Sequence, residues 1–240
     1  MTRTIIQRAL NILLPQVCRA CGCLLKNSDK ICNDCFCKIR WIGKPHCTIC
    51  GSPFESSVAV SHPCPECLKR KPAFDWHRSC VLYEEPVNRI LYHLKYSAGM
   101  DCIGVFAEWF EKIIGEQTVK ADYLIPVPLS MGRLRRRSYN QSVELAKKIS
   151  HRTGIPVLIH SLQKIRKTVP QTELPREERL KNLRGAFAWK EKKICLKDKN
   201  VFLIDDVFTT GSTLNACASA LKLQKPAMVG AMTIALNLRH

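Results

Sequence analysis

The 240-residue sequence has no run approaching the roughly 18 to 20 uninterrupted apolar residues of a membrane span, so no transmembrane helix is expected. Its first 17 residues imitate a signal peptide, but Gln7 and Arg8 split the apolar stretch and no small-residue cleavage site follows. At helical spacing Ile6, Leu10, Leu13, Leu14 and Val17 share one face, which predicts an amphipathic packing helix. Acidic residues are scarce: 20 Asp and Glu stand against 38 Lys and Arg, a formal charge of +18. Yet 46% of the residues are apolar, which excludes a disordered basic tail, and the length excludes a disulfide-stapled miniprotein. With no export signal the compartment is expected to be the reducing cytoplasm. The 14 cysteines are therefore expected as thiols or metal ligands.

Eight of them form four CxxC pairs: Cys18 and Cys21, Cys32 and Cys35, Cys47 and Cys50, Cys64 and Cys67. Zinc takes four soft ligands in a tetrahedron, and each CxxC turn brings two sulfurs to one metal, so this spacing predicts about two structural zinc ions. Trp41, Phe54, Phe74 and Trp76 are among the few large aromatic residues available here as a core, so metal rather than packing is expected to hold this region. Sequential and interleaved pairing of the motifs are both open. Redox CxxC chemistry is the weaker reading, because no βαβ context surrounds four pairs so close together. Cys23, Cys37, His46 and His62 lie beside the pairs and are expected as neighbours more than as ligands. Cys80, Cys102, Cys195 and Cys217 have apolar surroundings in sequence and are expected to be buried.

The pattern changes near residue 79, which divides the chain into a Cys-rich module, 1–78, and a second domain, 79–240. There strands and helices alternate, which predicts an α/β fold with an open, mostly parallel sheet. Cys80–Tyr83, Tyr123–Val127, Val157–Ile159, Val201–Ile204 and Met228–Leu236 read as strands. Stripes at Val87, Ile90, Leu91 and Leu94, and at Ile103, Phe106, Ala107, Phe110, Ile113 and Ile114, read as helices, as do Val143–Ile149 and Ser212–Leu223. The polar segment from about His160 to Arg184 is too long for an ordinary connection and is expected to be a functional loop.

The sharpest chemistry lies at Val201–Thr213. An apolar strand delivers Asp205 and Asp206 to its C-terminal edge, where open α/β sheets bind ligands. Thr209, Thr210, Gly211, Ser212 and Thr213 then turn into a helix, whose amides, hydroxyls and positive end form a phosphate cradle. Paired carboxylates beside it suit a phosphorylated sugar, with vicinal hydroxyls held directly or through Mg²⁺.

Over these 13 positions the sequence resembles the phosphoribosyl-pyrophosphate (PRPP) motif of type I phosphoribosyltransferases. That resemblance implies that Asp205 and Asp206 hold the ribose hydroxyls and that Thr209–Thr213 hold the 5′-phosphate. With the four CxxC pairs included, the chain resembles the ComF family over nearly its whole length. Leu13-Leu14-Pro15 before Cys18 is similar to that family's opening, His93-Leu94-Lys95-Tyr96 to its LKY element, and Pro126–Leu129 through Asn140-Gln141 to its arginine-rich loop. Ser138 stands where that loop usually has Gly. Lys167-Thr168, Gln171-Thr172, Arg176, Arg179, Asn182 and Gly185–Phe187 resemble its third element.

When PRPP loses pyrophosphate, negative charge gathers on the leaving group, so fixed cations favour the transition state. Arg133, Arg135, Arg136 and Arg137 are candidates for this role, or for nucleic-acid contact, or form a solvated basic loop. Lys167, Gln171, Arg176 and Arg179 are candidates for a lid, or belong to an exposed loop without that role. Residues 133–184 carry 14 Lys and Arg against four acids, more than half of the excess charge. That charge suits a single nucleotide-sized phosphate ligand or a single-stranded DNA backbone equally. Purine-salvage relatives place an Asp base where this chain has Thr209, so a hypoxanthine or guanine acceptor is not expected, and little chain follows the last strand to build an acceptor site. Two functions stay open: a competence-type protein aiding uptake of single-stranded DNA, with a helicase-like partner implied by the family, or a Mg²⁺-dependent transferase with an unassigned acceptor.

Overall fold

The computed structural model describes residues 16–25, 29–54, 60–95, 100–166 and 183–238, apart from the side chains of Met131, Arg133 and Arg136. The amphipathic stripe from Ile6 to Leu14 lies outside them. Two short helices, α1 (Asn33–Cys37) and α2 (Pro65–Lys69), each follow a cysteine at their N-cap, Cys32 and Cys64. The chain then runs β1 (Trp76–Leu82), α3 (Val87–Leu94), α4 (Ile103–Glu116), β2 (Tyr123–Pro126), α5 (Met131–Arg137) and α6 (Gln141–Thr153). It continues with β3 (Leu162–Lys164), β4 (Phe187–Trp189), β5 (Asn200–Phe208), α7 (Ser212–Lys222) and β6 (Met228–Leu236).

The sheet has the order β1-β6-β5-β2 and every pairing is parallel, as expected for strands separated by helices. Both faces are covered: β6 is buried at every position but Met228, and β5 at five of its nine, the half-buried ones including Asp205 and Asp206. Phe202, Ile204, Met232 and Ile234 pack with α3, α4 and α6 on one side. Val201, Leu203, Val229 and Ala231 pack with α7 and with Leu183 and Phe187 on the other. The helical stripe expected on α3 is buried at all four positions. On α4, Ile103, Phe106, Ala107 and Phe110 are buried, whereas Ile113 and Ile114 are half-buried.

Four expectations need correction. Val157–Ile159 is no strand: Val157 makes a single parallel bridge to Leu124 at the sheet edge, the chain being extended there for too few residues to build a ladder. Residues 131–137 form helix α5 rather than a loop. Cys195 is exposed, because the connection before β5 turns Leu196 inward and leaves its neighbour in solvent. Trp76 is not ribbon core: it opens β1, lies edge-on to Phe202 at 4.8 Å, and fills the space left by Gly230.

Hydrogen bonds fasten the Cys-rich module to this sheet. Ile42 N–H donates to Cys80 O (3.0 Å) and Leu82 N–H to Arg40 O (2.9 Å), so the module adds an antiparallel bridge to the free edge of β1. Beyond the second pair of motifs, Ala73 N–H donates to Asn215 Oδ1 (2.7 Å), and Asp75 accepts from Val229 N–H (2.7 Å) and Lys222 Nζ (2.6 Å).

Candidate functional site

The cysteines gather sequentially, the first two motifs together and the last two together, which settles the pairing. Cys47, Cys50, Cys64 and Cys67 place their sulfurs within 4.8 Å of one another. A tetrahedral ZnS₄ centre with Zn–S of about 2.3 Å needs sulfurs roughly 3.8 Å apart. Cys50 and Cys64 are 3.8 Å apart, and Cys21 and Cys32 are 3.7 Å apart, so the donor sets fit zinc. The first cluster differs from expectation. Its mutually close quartet is Cys18, Cys21, Cys23 and Cys32, with the Cys35 thiol against Cys18, Cys21 and Cys32. Cys37 is exposed. His46 and His62 face backbone carbonyls, those of Gly43 and Pro63, and belong to neither cluster.

The two clusters are built alike. Gly22 N–H donates to Cys18 O and Gly51 N–H to Cys47 O, with φ of 77° and 72° at the glycines, a left-handed turn that glycine takes without strain. Cys32 N–H points at Cys18 Sγ (3.3 Å) and Cys64 N–H at Cys47 Sγ (3.2 Å). Burial pushes both leading thiols up, but these amides and their neighbours outweigh it, bringing Cys18 down to about 6 and Cys47 to about 7. Thiolates so held are prepared ligands.

At the C-terminal edge of the sheet, β5 runs on through both acids to Phe208, in register with Thr233–Leu236 of β6. Asp205 Oδ1 accepts from Ser142 Oγ (3.0 Å) and from Asp206 N–H (2.9 Å). Ser142 opens α6, where Asn140 caps the helix through Ser142 N–H (3.0 Å) and donates to Val127 O at the end of β2 (3.0 Å). Although part of its surface faces solvent, Asp205 is densely enclosed. Burial, reinforced by the charge of Asp206, pushes its carboxyl up to about 7 against the pull of Ser142 and the more distant Lys95.

Beside the acids, Gly211 is the N-cap of α7 at φ 71°, and no side chain caps that helix. The Ser212 hydroxyl pairs with Thr210 Oγ1 (2.8 Å) rather than with the backbone, so Ser212 is no helix cap. A positive helix end without a side-chain cap, next to two carboxylates, suits an anion carried on a polyol. Gly211 is required twice, since a Cβ there would also come 2.7 Å from the Phe208 ring. That ring stacks on His77 at 4.1 Å, whose Nδ1 donates to Cys50 O (2.7 Å) and whose Nε2 meets Thr233 Oγ1 (3.0 Å). The second cysteine cluster thus reaches the phosphate loop through two side chains.

Asp205, Asp206 and Thr209–Thr213 are therefore brought together as expected from their contiguity. Arg135 is exposed and Arg137 half-buried on α5, which follows the end of β2, the strand beside Asp205. The side chains of Arg133 and Arg136, and all of Lys167, Gln171, Arg176 and Arg179, lie outside the described residues; β3 and β4 pair antiparallel at the base of that segment. Sequence reasoning missed Ser142 and His77. Asn140 before Ser142 carried a cap signal, whereas nothing local marks His77.

Residues 9–68 match the double zinc ribbon domain and residues 120–239 the phosphoribosyl transferase domain. Competence protein F of Haemophilus influenzae is 30% identical over 85% of this chain and 89% of its own. The chain belongs to the ComF family. Competence protein ComFC of Bacillus subtilis is 27% identical, over 88% of this chain and 86% of its own, and DNA utilization protein YhgH of Salmonella typhimurium 27%, over 73% and 77%. In this ComF protein both matches leave out β1, α3 and α4, the elements that lie between the ribbons and β2 in chain order.

Proposed function

We propose that this is a competence-type protein of the cytoplasm that aids uptake of single-stranded DNA, with a PRPP-binding phosphoribosyltransferase domain. The observation that carries the donor site is the junction of Asp205 and Asp206 with the Gly211 turn into α7, an anion cradle adjoining two carboxylates. On this reading Asp205 and Asp206 hold the ribose hydroxyls, and Thr209, Thr210, Gly211, Ser212 and Thr213 hold the 5′-phosphate. The carboxyl oxygens fit Mg²⁺, a hard cation that would keep the raised Asp205 ionised and supply positive charge toward a pyrophosphate. Arg133, Arg135, Arg136 and Arg137 contribute fixed cations to pyrophosphate or to DNA. Lys167, Gln171, Arg176 and Arg179 form the lid.

The DNA side of the reading rests on the basic composition and on the relatives named for competence and DNA utilization. Residues 1–78 serve as a metal-held module carrying two structural zinc ions, with Cys18, Cys21, Cys32 and Cys35 at one and Cys47, Cys50, Cys64 and Cys67 at the other. Residues 79–240 form the transferase domain, and a helicase-like protein is the partner in uptake.

Calorimetry with Mg²⁺ and PRPP, with and without single-stranded DNA at two salt concentrations, tests both halves. The expected result is PRPP binding lost in Asp205→Asn/Asp206→Asn, and DNA binding that weakens steeply with salt. No PRPP binding by the wild type removes the donor site. Turnover of PRPP together with normal transformation in a deletion strain moves the protein to metabolism, as a transferase unconnected to DNA.

A further inference from the structure

The two ribbons repeat one another in backbone detail but not in sulfur count. Cys18, Cys21, Gly22, Cys32 and Cys35 correspond to Cys47, Cys50, Gly51, Cys64 and Cys67, and the pairing Cys18 N–H to Cys23 O (2.8 Å) corresponds to Cys47 N–H to Ser52 O (2.8 Å). The position after the knuckle glycine is therefore Cys23 in the first ribbon and Ser52 in the second. Ser52 behaves as a supporting group, its Oγ 3.2 Å from Cys50 Sγ. Cys23 offers a soft sulfur from the same backbone position. That sulfur lies within 4.8 Å of those of Cys18, Cys21 and Cys32, and the Cys35 thiol reaches the same three.

A tetrahedral zinc ion takes four of these five thiols. We infer that the first ribbon is a five-thiol zinc site in which Cys23 and Cys35 exchange at the fourth coordination position. The inference rests on the zinc reading above and extends it to a residue outside the four CxxC pairs. Zinc expands readily to five ligands, so a waiting thiolate lowers the barrier to exchange. Cys21 and Cys23 are exposed, which gives an incoming ligand access to the metal, whereas Cys47, Cys50 and Cys67 are buried. The chain thus carries one exchangeable zinc site and one closed one, and the first can lose or gain metal while the second stays loaded.

The test uses the full-length protein purified without chelator, with zinc measured by elemental analysis and its release followed with a colorimetric chelator. Cys23→Ser and Cys35→Ser should each retain two zinc ions, and the double variant one. Cys23→Ser, which copies the second ribbon, should release its faster zinc about tenfold more slowly, and Ser52→Cys should accelerate the slower one. A folded Cys35→Ser protein holding one zinc overturns the inference, as do unchanged release rates in both Cys23→Ser and Ser52→Cys. These two rates decide the matter even if Cys35→Ser does not fold. A wild type devoid of zinc removes the zinc reading itself, and is distinguishable from all of these.

Discussion

The two ribbons share a backbone plan, yet they sit on the molecule differently. The second is embedded. Its knuckle lies so close to β1 that a Cβ on Gly51 would stand 2.6 Å from His77 O. His77 is completely buried, and burial pushes its imidazole down to about 3, so it stays neutral and joins Cys50 O to Thr233. The first ribbon is laid on. It contributes Cys18, Ala20, Ile31, Cys35 and Ile39 to the core, but its polar anchor is Asp101, half-buried and paired to Arg19 (2.9 Å) and Lys30 (3.5 Å). Trp41, which packs edge-on to Trp109 at 4.8 Å, stays 43% exposed. A repeated metal knuckle therefore has no fixed energetic weight; its weight depends on what its backbone touches.

Matched substitutions probe that contrast. The largest effect is expected at Gly51→Ala, which meets both the positive φ and the His77 carbonyl, a pair of costs that should exceed 3 kcal/mol, on the order of a severe core defect. Equal destabilisation by Gly22→Ala in urea unfolding would break the comparison, because Gly22 has the same backbone but nothing within 4 Å of an added Cβ; there only the conformational cost of about 1–2 kcal/mol applies. His77→Leu strands Cys50 O, while Thr233 keeps Ser79 Oγ and Ala235 O, and should cost about 1–3 kcal/mol. Because Phe208 stacks on His77 and supports Gly211, the same variant should weaken PRPP binding, whereas Asp101→Asn should not. Asp101→Asn is expected to cost under about 1 kcal/mol and to lose even that at high salt. A loss of PRPP affinity as large as that in His77→Leu would show that both ribbons act on the loop.

The pH dependence sharpens the same point from the site itself. Asp205 is raised in the folded protein, so its contribution to stability is fully present below the unfolded carboxylate range, near pH 4, and is lost as pH rises through about 7. Binding has the opposite sign, since the ionised carboxylate is the form that accepts hydroxyl protons or a cation. PRPP affinity should therefore rise through pH 7, and Asp205→Asn should flatten that part of the profile while stabilising the protein at pH 8. The rise should survive in Asp101→Asn, and a profile set by ribbon 1 would contradict it. A small effect belongs to neither ribbon and calibrates the scale: Ser138 holds φ 61°, so Ser138→Gly should stabilise by about 0.5 kcal/mol, measured by thermal unfolding.

Much of the fold was written locally. The stripe Val87, Ile90, Leu91 and Leu94 has a period that only a helix buries, and Met228–Leu236 is an apolar run that a doubly covered strand requires. The candidate donor site was legible because its parts are contiguous: Asp205 through Thr213 form one strand, one turn and one helix start. Where local signals competed, reading failed. Val157–Ile159 has strand composition but lies at an edge with one bridge, and residues 131–137 are helical despite four arginines, a residue type with good helix propensity. Cys195 has apolar neighbours in sequence, yet burial is decided by which of them turns inward.

By itself, the sequence determined that there would be two cysteine clusters, a parallel sheet and an acid pair leading into a phosphate loop, because ligand spacing, hydrophobic period and motif contiguity are local properties. The tertiary structure alone decided that the motifs pair in order, that Cys23 joins the first cluster and Ser52 supports the second, and that Ser142 meets Asp205. It also decided that His77 connects Cys50 to the wall behind Gly211. These pairings span from a few residues to 156, and only the folded chain sets which side chains come into contact.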